Sequence, residues 1–331
     1  MTKKLKLVNE NKKIKQNINT HERIESLVLA VITVLGSASV AKVSKNFYRE
    51  VTTNPSFAFS VNRIGYGAMR ITGPGVWGDP VDREGAKRLL KRAVDLGVDF
   101  IDTADAYGPE VSEILISEAL FPYRSVVVAT KGGLTRTGPG VWTPDCSPGH
   151  LRQACEDSLR RLRLDAIDLY QLHTVDPKVP FEESFATLLD LQRDGKIKQI
   201  GLSNIEPEQF TTAINMGHFV SVQNSYNLFN REHEDVLRLC EQHGIVFIPY
   251  FPVGGNLPDG PEHSIIERLG EKYNASSQQI ALAWLLHHSG SLLPIPGTSS
   301  IRHLEDNIGA SQLQLDDSDL RELDTIAVNV S

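Results

Sequence analysis

The 331-residue chain is 40% hydrophobic and 23% charged, an ordinary balance for a water-soluble globular protein. Its 34 basic and 41 acidic residues leave a formal charge of −7, which argues against non-specific nucleic-acid binding. Three cysteines, Cys146, Cys155 and Cys240, show neither metal-ligand nor Cys-x-x-Cys spacing, so they suit a reducing, cytoplasmic setting better than a disulfide framework or a metal site.

The chain starts with a stretch unlike the rest. Residues 1–23 are rich in Lys and Asn, a composition that builds no core. Leu27 to Leu35 is nearly continuous apolar sequence, followed by small residues from Gly36 to Ala41. A basic start, a short apolar run and a small-residue end resemble a secretory signal peptide. The run falls short of the ~20 residues a membrane span needs. The cysteine usage favours the other reading, a disordered or helical extension over residues 1–55 ahead of one domain over 56–331.

From Val61 onward strand-like and helix-like segments alternate. The strands are expected at Val61–Met69, Val98–Thr103, Val126–Lys131, Ala166–His173, Ile197–Ser203, Val220–Tyr226, Ile245–Phe251 and Leu292–Pro296. Between and after them, helical spacing covers Arg83–Leu96, Val111–Leu120, Leu151–Leu162, Phe181–Gln192, Pro207–Met216, Glu232–His243, Ser264–Tyr273, Gln278–His288, Ile301–Ala310 and Ser318–Ala327. Eight strands alternating with helices predict an α/β fold, the (β/α)8 TIM barrel. The loops Thr72–Pro80 and Gly132–Pro148 are long for such connections, and loops of that length usually cover a site.

In a barrel of this kind the site lies at the carboxyl ends of the strands. There the sequence places Asp102 and Tyr107 after the second strand, Lys131 after the third and His173 after the fourth. Neighbouring strands are ~4.8 Å apart, so these side chains can converge. A phenol ordinarily titrates near ~10 and needs a cation beside it to give up a proton readily at neutral pH. Lys131, held charged by Asp102, is expected to lower the Tyr107 pKa, while His173 orients a carbonyl oxygen against the phenol. Taken singly, each has a plainer reading: a turn cap, a half-buried aromatic, a snorkelling lysine, a satisfied core histidine. Their arrival together at three consecutive strand ends favours the functional one.

The segments Val98–Gly108, Val128–Lys131, Asp168–His173 and Ile200–Asn204 resemble the signatures of the aldo-keto reductases, in order and in spacing, over nearly all of the chain from Val61 to Ala327. Within that family Gly65–Met69, Gly73–Gly78 and Pro294–Ser300 are most similar to the pyridoxal reductase-like branch. The resemblance implies NADPH-dependent reduction of an aldehyde or ketone, with Asp102, Tyr107, Lys131 and His173 as the catalytic residues and Tyr107 as proton donor. It further implies that Ser203, Asn204 and Gln223 hold the nicotinamide carboxamide and that Tyr250 stacks on its ring. Phe251, Val253 and Gly255 would follow the pyrophosphate, Thr298, Ser299, Arg302 and Asn307 would surround the adenosine end, and Gly67 and Met69 would complete the cofactor set. No dinucleotide-binding Gly-x-Gly-x-x-Gly motif follows the first strand, since Gly65-Tyr66-Gly67 continues as Ala68-Met69-Arg70.

The chain departs from the family in two places. Gly297 stands where many members carry a lysine for the 2′-phosphate, leaving Arg302 or His303 to supply the cation and NADH as the less favoured cofactor. The amino-terminal hairpin that usually plugs the barrel floor is shortened around Phe57–Ser60. Trp77 and Trp142, with Tyr107, are the expected apolar walls for a small carbonyl substrate. No integral membrane domain and no nucleic-acid partner are expected, and the protein is read as a monomer or small homo-oligomer. Two alternatives stand beside the reductase: a cofactor-binding regulatory subunit, like the accessory subunits of potassium channels, with the basic extension as its docking tail, and a phosphate-binding barrel hydrolase or isomerase.

Overall fold

Parallel pairing of short strands organises the computed structural model, which describes residues 59–255 and 261–326. The extension read over residues 1–55 lies outside the described residues. Strands β1 (Tyr66–Gly67), β2 (Phe100–Asp102) and β3 (Val127–Gly132) pair in parallel in that order. A separate antiparallel hairpin follows, made of β4 (Leu134–Gly138) and β5 (Val141–Pro144). The parallel sheet resumes from β3 through β6 (Ile167–Leu172), β7 (Ile197–Ser203), β8 (Ser221–Gln223) and β9 (Val246–Phe247).

Residues 292–296 close the ring. Leu292 bridges in parallel to Phe247, the Leu293 amide donates to the Phe247 carbonyl at 2.9 Å, and the Gly65 amide donates to the Pro294 carbonyl at 3.0 Å. Pro294 and Pro296 have no N–H to offer, so this eighth strand makes a sparser ladder than its neighbours. The fold is a (β/α)8 barrel.

The first strand is shorter than its apolar pattern predicts. Ala68–Ile71 turns into a 3-10 helix, taking Ala68 and Met69 out of the sheet. Thr103, His173 and Tyr250, read as strand ends, lie past the paired ladders, yet their amides still donate to the neighbouring strand's Ala129, Gly132 and Asn224 carbonyls. The strand ends therefore splay only beyond the residues they position.

The helices are α1 (Arg83–Asp95), α2 (Val111–Leu120), α3 (Pro148–Leu162), α4 (Phe181–Arg193), α5 (Pro207–Met216), α6 (Glu234–His243), α7 (Pro261–Tyr273), α8 (Ser277–His288), α9 (Ile301–Gly309) and α10 (Asp317–Asp324). Their starts follow capping chemistry. The Asp82 carboxylate accepts from the Gly85 amide, and Ser147 caps α3 with Pro148 at its first position, which begins that helix ahead of the apolar pattern at Leu151. Ser276 and Gln279 form a reciprocal capping box on α8. Gly244, at φ 65°, ends α6 in the left-handed conformation that glycine adopts without strain. Ala327, the expected end of α10, lies outside the described residues.

Inside the barrel Phe100, Ala129, Leu169, Val246, Leu293 and Ile295 pack in one cluster. Val61 is buried in the same cluster, with Phe59 packed against it. The Asn62 amide donates to the Asp99 carboxylate at 2.9 Å, and its side chain donates to the Gly97 carbonyl at 2.7 Å, both just before β2 begins. These bonds seat Val61 at the floor; Phe57 and Ala58, where the floor hairpin was expected to be shortened, lie outside the described residues. Among the described residues no helix is long and apolar enough to cross a membrane.

Candidate active site

Side chains alternate along a strand, so residues two apart point the same way. Phe100 and Asp102, Ala129 and Lys131, and the series Leu169, Gln171, His173 each begin in the barrel interior and end at its mouth. The apolar member lies below and the polar one above. Lys131 is fully buried, and its ammonium donates to Asp102 Oδ1 at 2.5 Å, to the Thr103 carbonyl at 2.9 Å and to the Tyr107 hydroxyl at 3.4 Å. Tyr107 meets His173 edge-on, with ring centroids 5.7 Å apart. The structure thus brings Asp102, Tyr107, Lys131 and His173 together.

Asp102 is secured on its other oxygen as well. Oδ2 accepts from Gln171 Nε2 at 2.9 Å and from Gln223 Nε2 at 2.8 Å. Sequence reasoning passed over Gln171, although the two-residue alternation that leads from Leu169 to His173 runs straight through it. Gln223, expected at the nicotinamide carboxamide, also donates its amide nitrogen to Asp102 here.

Burial dominates the electrostatics. It pushes the Tyr107 phenol above its ordinary value, and the Lys131 ammonium recovers only part of that rise. Lys131 thus acts in the direction expected of it, but removing a phenolate from water costs more than one shared cation returns, so the net shift is upward. Burial works against the charge on Lys131 too, but Asp102 and then Tyr107 outweigh it and hold the ammonium above its ordinary value. His173 is held well below the imidazole range by burial, then by the charges of Lys131 and Arg136, so it is neutral at neutral pH. Among the described residues nothing bonds to its Nδ1.

The walls come from the long loops. The stretch Gly132–Pro148, read as irregular, contains the β4–β5 hairpin. That hairpin carries Trp142 over the mouth, edge-on to Tyr107 at 6.2 Å and 6.4 Å from the His173 ring. Trp77 pairs in parallel with Gly108, which ties the 72–80 loop to the turn holding Tyr107. Both tryptophans stand near the cluster, though only Trp142 touches its rings.

The residues expected around a dinucleotide form an arc across the mouth. Ser203 donates to the Gln223 carbonyl at 2.8 Å, Asn204 donates to the His173 carbonyl at 2.9 Å, and the Tyr250 hydroxyl donates to Asn204 Oδ1 at 2.8 Å. Asn204 sits at φ 55°, a left-handed conformation that asparagine tolerates better than most residues. Phe251 is half-exposed beside Tyr250, while Val253 packs against the large core cluster and Gly255 sits at φ 73°.

On the far side, a Cβ at Gly67 would lie 2.7 Å from the Ile295 carbonyl and one at Gly297 would lie 2.7 Å from the Gly67 carbonyl. Backbone crowds any side chain at 297, so the lysine that the family resemblance led one to expect there would not fit without a shift. Met69 is half-buried just beyond this crossing. Thr298 caps the turn by accepting from the Ser300 amide at 3.0 Å, and Ser300 caps α9. Ser299, Arg302 and His303 are exposed there and Asn307 is nearly buried. The first turn of α9 has no acidic residue, and it leaves the positive end of a helix beside two basic side chains, a donor set that fits a phosphate.

Comparison with known proteins agrees with this geometry. The sequence model described as Aldo/keto reductase family matches residues 63–328. An uncharacterized oxidoreductase of Schizosaccharomyces pombe is 47% identical over 264 residues, 80% of this chain and 86% of that protein. Pyridoxine 4-dehydrogenase of Escherichia coli is 41% identical over 275 residues, 81% of this chain and 96% of that enzyme. Among solved structures, an aldo/keto reductase from Klebsiella pneumoniae in complex with NADP and acetate is similar, with a TM-score of 0.69 and 30% identity over 80% of this chain and 91% of that one.

Proposed function

Because this chain belongs to the aldo/keto reductase family, we propose that it reduces small aldehydes and ketones to alcohols with NADPH, pyridoxal among them, and that Asp102, Tyr107, Lys131 and His173 carry the reaction. One observation carries the reading: a fully buried Lys131 ammonium held between the Asp102 carboxylate at 2.5 Å and the Tyr107 hydroxyl at 3.4 Å. The similarity to a pyridoxine 4-dehydrogenase supports pyridoxal within the substrate range. The Klebsiella relative with NADP, and the basic first turn of α9, support NADPH over NADH.

Ser203, Asn204, Gln223 and Tyr250 would hold the nicotinamide, Phe251, Val253 and Gly255 the diphosphate, and Thr298, Ser299, Arg302 and Asn307 the adenosine end, with Gly67 and Met69 beneath. Bound there, NADPH supplies a hydride to the carbonyl carbon. The protein supplies the rest. Trp142 and Trp77 present an apolar wall that limits water at the reacting carbonyl. Neutral His173 offers an uncharged N–H to the carbonyl oxygen. Tyr107 donates its proton as negative charge develops on that oxygen, a contribution of about 10²–10⁴-fold. Lys131 then stabilises the phenolate left behind, and Asp102 keeps the ammonium charged.

The pH dependence follows from these shifts. A phenol raised by burial keeps its proton through neutral pH, so reduction declines only in the alkaline range, whereas alcohol oxidation, which needs the phenolate, rises there. Rates measured in both directions across pH check this.

The deciding experiment follows NADPH consumption by the full chain with pyridoxal and a panel of small aldehydes, repeated with NADH and with Tyr107→Phe. Turnover that the variant loses while still binding NADPH supports the proposal. Tight NADPH binding without turnover on any carbonyl would favour a regulatory subunit instead.

A further inference from the structure

Arg136, on β4, is engaged more completely than a wall-lining residue needs to be. A guanidinium has five N–H donors in a fixed fork. All five reach backbone carbonyls: Nε to Val141 at 2.7 Å, Nη1 to Val76 at 3.0 Å and Ala106 at 2.9 Å, Nη2 to Gly75 at 2.9 Å and Gly138 at 3.4 Å. These acceptors belong to three segments far apart in sequence: the 72–80 loop with Trp77, the turn with Tyr107, and the hairpin with Trp142. The guanidinium carbon also stands 3.6 Å from the Trp142 ring centroid and 5.8 Å from that of Trp77.

We propose that Arg136 is a positioning residue that clamps these three segments, and thereby sets the tryptophan wall and the Tyr107 turn in register over the reacting carbonyl. The inference rests on the reductase reading above. An alternative role, recognition of a carboxylate or phosphate on the substrate, would need a free N–H, and none remains. The backbone at the clamp is also one that a loose loop would not keep. Val76, a β-branched residue, sits at φ 54°, and its carbonyl accepts from Arg136 and from the Gly108 amide at 3.3 Å. Lysine carries the same charge on a single ammonium and does not reproduce the fork.

The test uses the full chain with Arg136→Lys and Arg136→Gln. Three readouts are taken: acrylamide quenching of tryptophan fluorescence, kcat and KM for a small aldehyde against the NADPH Kd, and the pH–rate profile. The chain has three tryptophans and Trp284 is buried, so added quenching reports Trp77 and Trp142. Both variants are expected to quench more readily. Both should raise the carbonyl KM about tenfold or more, as misplaced walls do, with a smaller loss of kcat and an unchanged NADPH Kd. The acid limb should move to higher pH in Arg136→Gln, which loses a charge that depresses His173, and stay in place in Arg136→Lys.

Unchanged quenching and KM in both variants would overturn the clamp. So would full recovery of KM by lysine, which would make charge rather than geometry the operative property. A wild-type chain that turns over no carbonyl would sink the reductase reading, while the quenching, recorded without substrate or cofactor, still decides the clamp.

Discussion

Two clusters in this molecule share nearly the same chemistry. At the barrel mouth stand a phenol, a carboxylate, an imidazole and a cation: Tyr107, Asp102, His173 and Lys131. Among α6, α8 and α10 stand another set: Tyr226, Glu234, His288 and Arg231. In the outer cluster the Tyr226 hydroxyl donates to Glu234, and His288 Nε2 lies 2.9 Å from that hydroxyl and 3.4 Å from the carboxylate. His288 stacks on Trp284 at 4.4 Å, Arg231 lies 4.5 Å over the same indole, and the indole N–H donates to Asp324 at 2.9 Å. Its phenol, imidazole and carboxylate satisfy one another.

At the mouth the ammonium, not the imidazole, sits between carboxylate and phenol, and His173 is left neutral, its Nδ1 without a partner among the described residues. Residue types alone do not distinguish a site from a structural knot. Position does: strand ends with a long loop above, rather than helices packed on the outside.

The comparison breaks most sharply at the two phenols. Tyr107→Phe should lower kcat by about 10²–10⁴-fold with little change in unfolding midpoint, whereas Tyr226→Phe should leave kcat intact. That outer variant strands part of a buried network and should cost about 1–3 kcal/mol in urea unfolding. Equal kinetic losses in the two variants would contradict the distinction.

Asp102→Asn tests the buried pair. It leaves the fully buried Lys131 ammonium without its counter-charge, so a loss of about 3–5 kcal/mol in unfolding free energy is expected alongside the loss of turnover. Gln171→Met probes the support beneath it. Asp102 Oδ2 keeps Gln223 but loses the Gln171 amide, an effect of about 1–2 kcal/mol on the kinetic barrier or on stability, read from kcat and from urea melts.

The effect in the outer cluster is of another kind, since it is felt only in acid. The His288 hydrogen bond, then the Tyr226 hydroxyl, hold the Glu234 carboxyl at about 2, against an ordinary 4.5. A folded-state value below the unfolded one means stability that is present above pH 4.5 and lost as pH falls toward about 2. Unfolding midpoints measured down that range should drop in the wild type and drop less in Glu234→Gln.

Much of the architecture was open to a reader of the sequence, since strand alternation and helical spacing are properties of short continuous segments. The order of strands and helices, and the arrival of Asp102, Lys131 and His173 at strand ends, follow from that periodicity alone. The hairpin escaped it because Leu134–Pro144 is rich in Thr, Gly and Pro, with little apolar alternation to mark a strand. The shortened β1 escaped it too, since a buried 3-10 turn at Ala68–Ile71 looks as apolar as a strand.

What only the tertiary structure decided is who meets whom, and how dry the meeting place is. The bonds that define the cluster join residues 29, 69 and 121 positions apart, from Lys131, Gln171 and Gln223 to Asp102, and no local pattern encodes such pairings. Desolvation is likewise set by everything packed around a group. It outweighs the lowering that Lys131 exerts on the Tyr107 pKa, and five carbonyls from three segments turned an unremarked Arg136 into the point where those segments join. Periodicity places side chains on a strand, and packing around the closed barrel determines their partners and their charge.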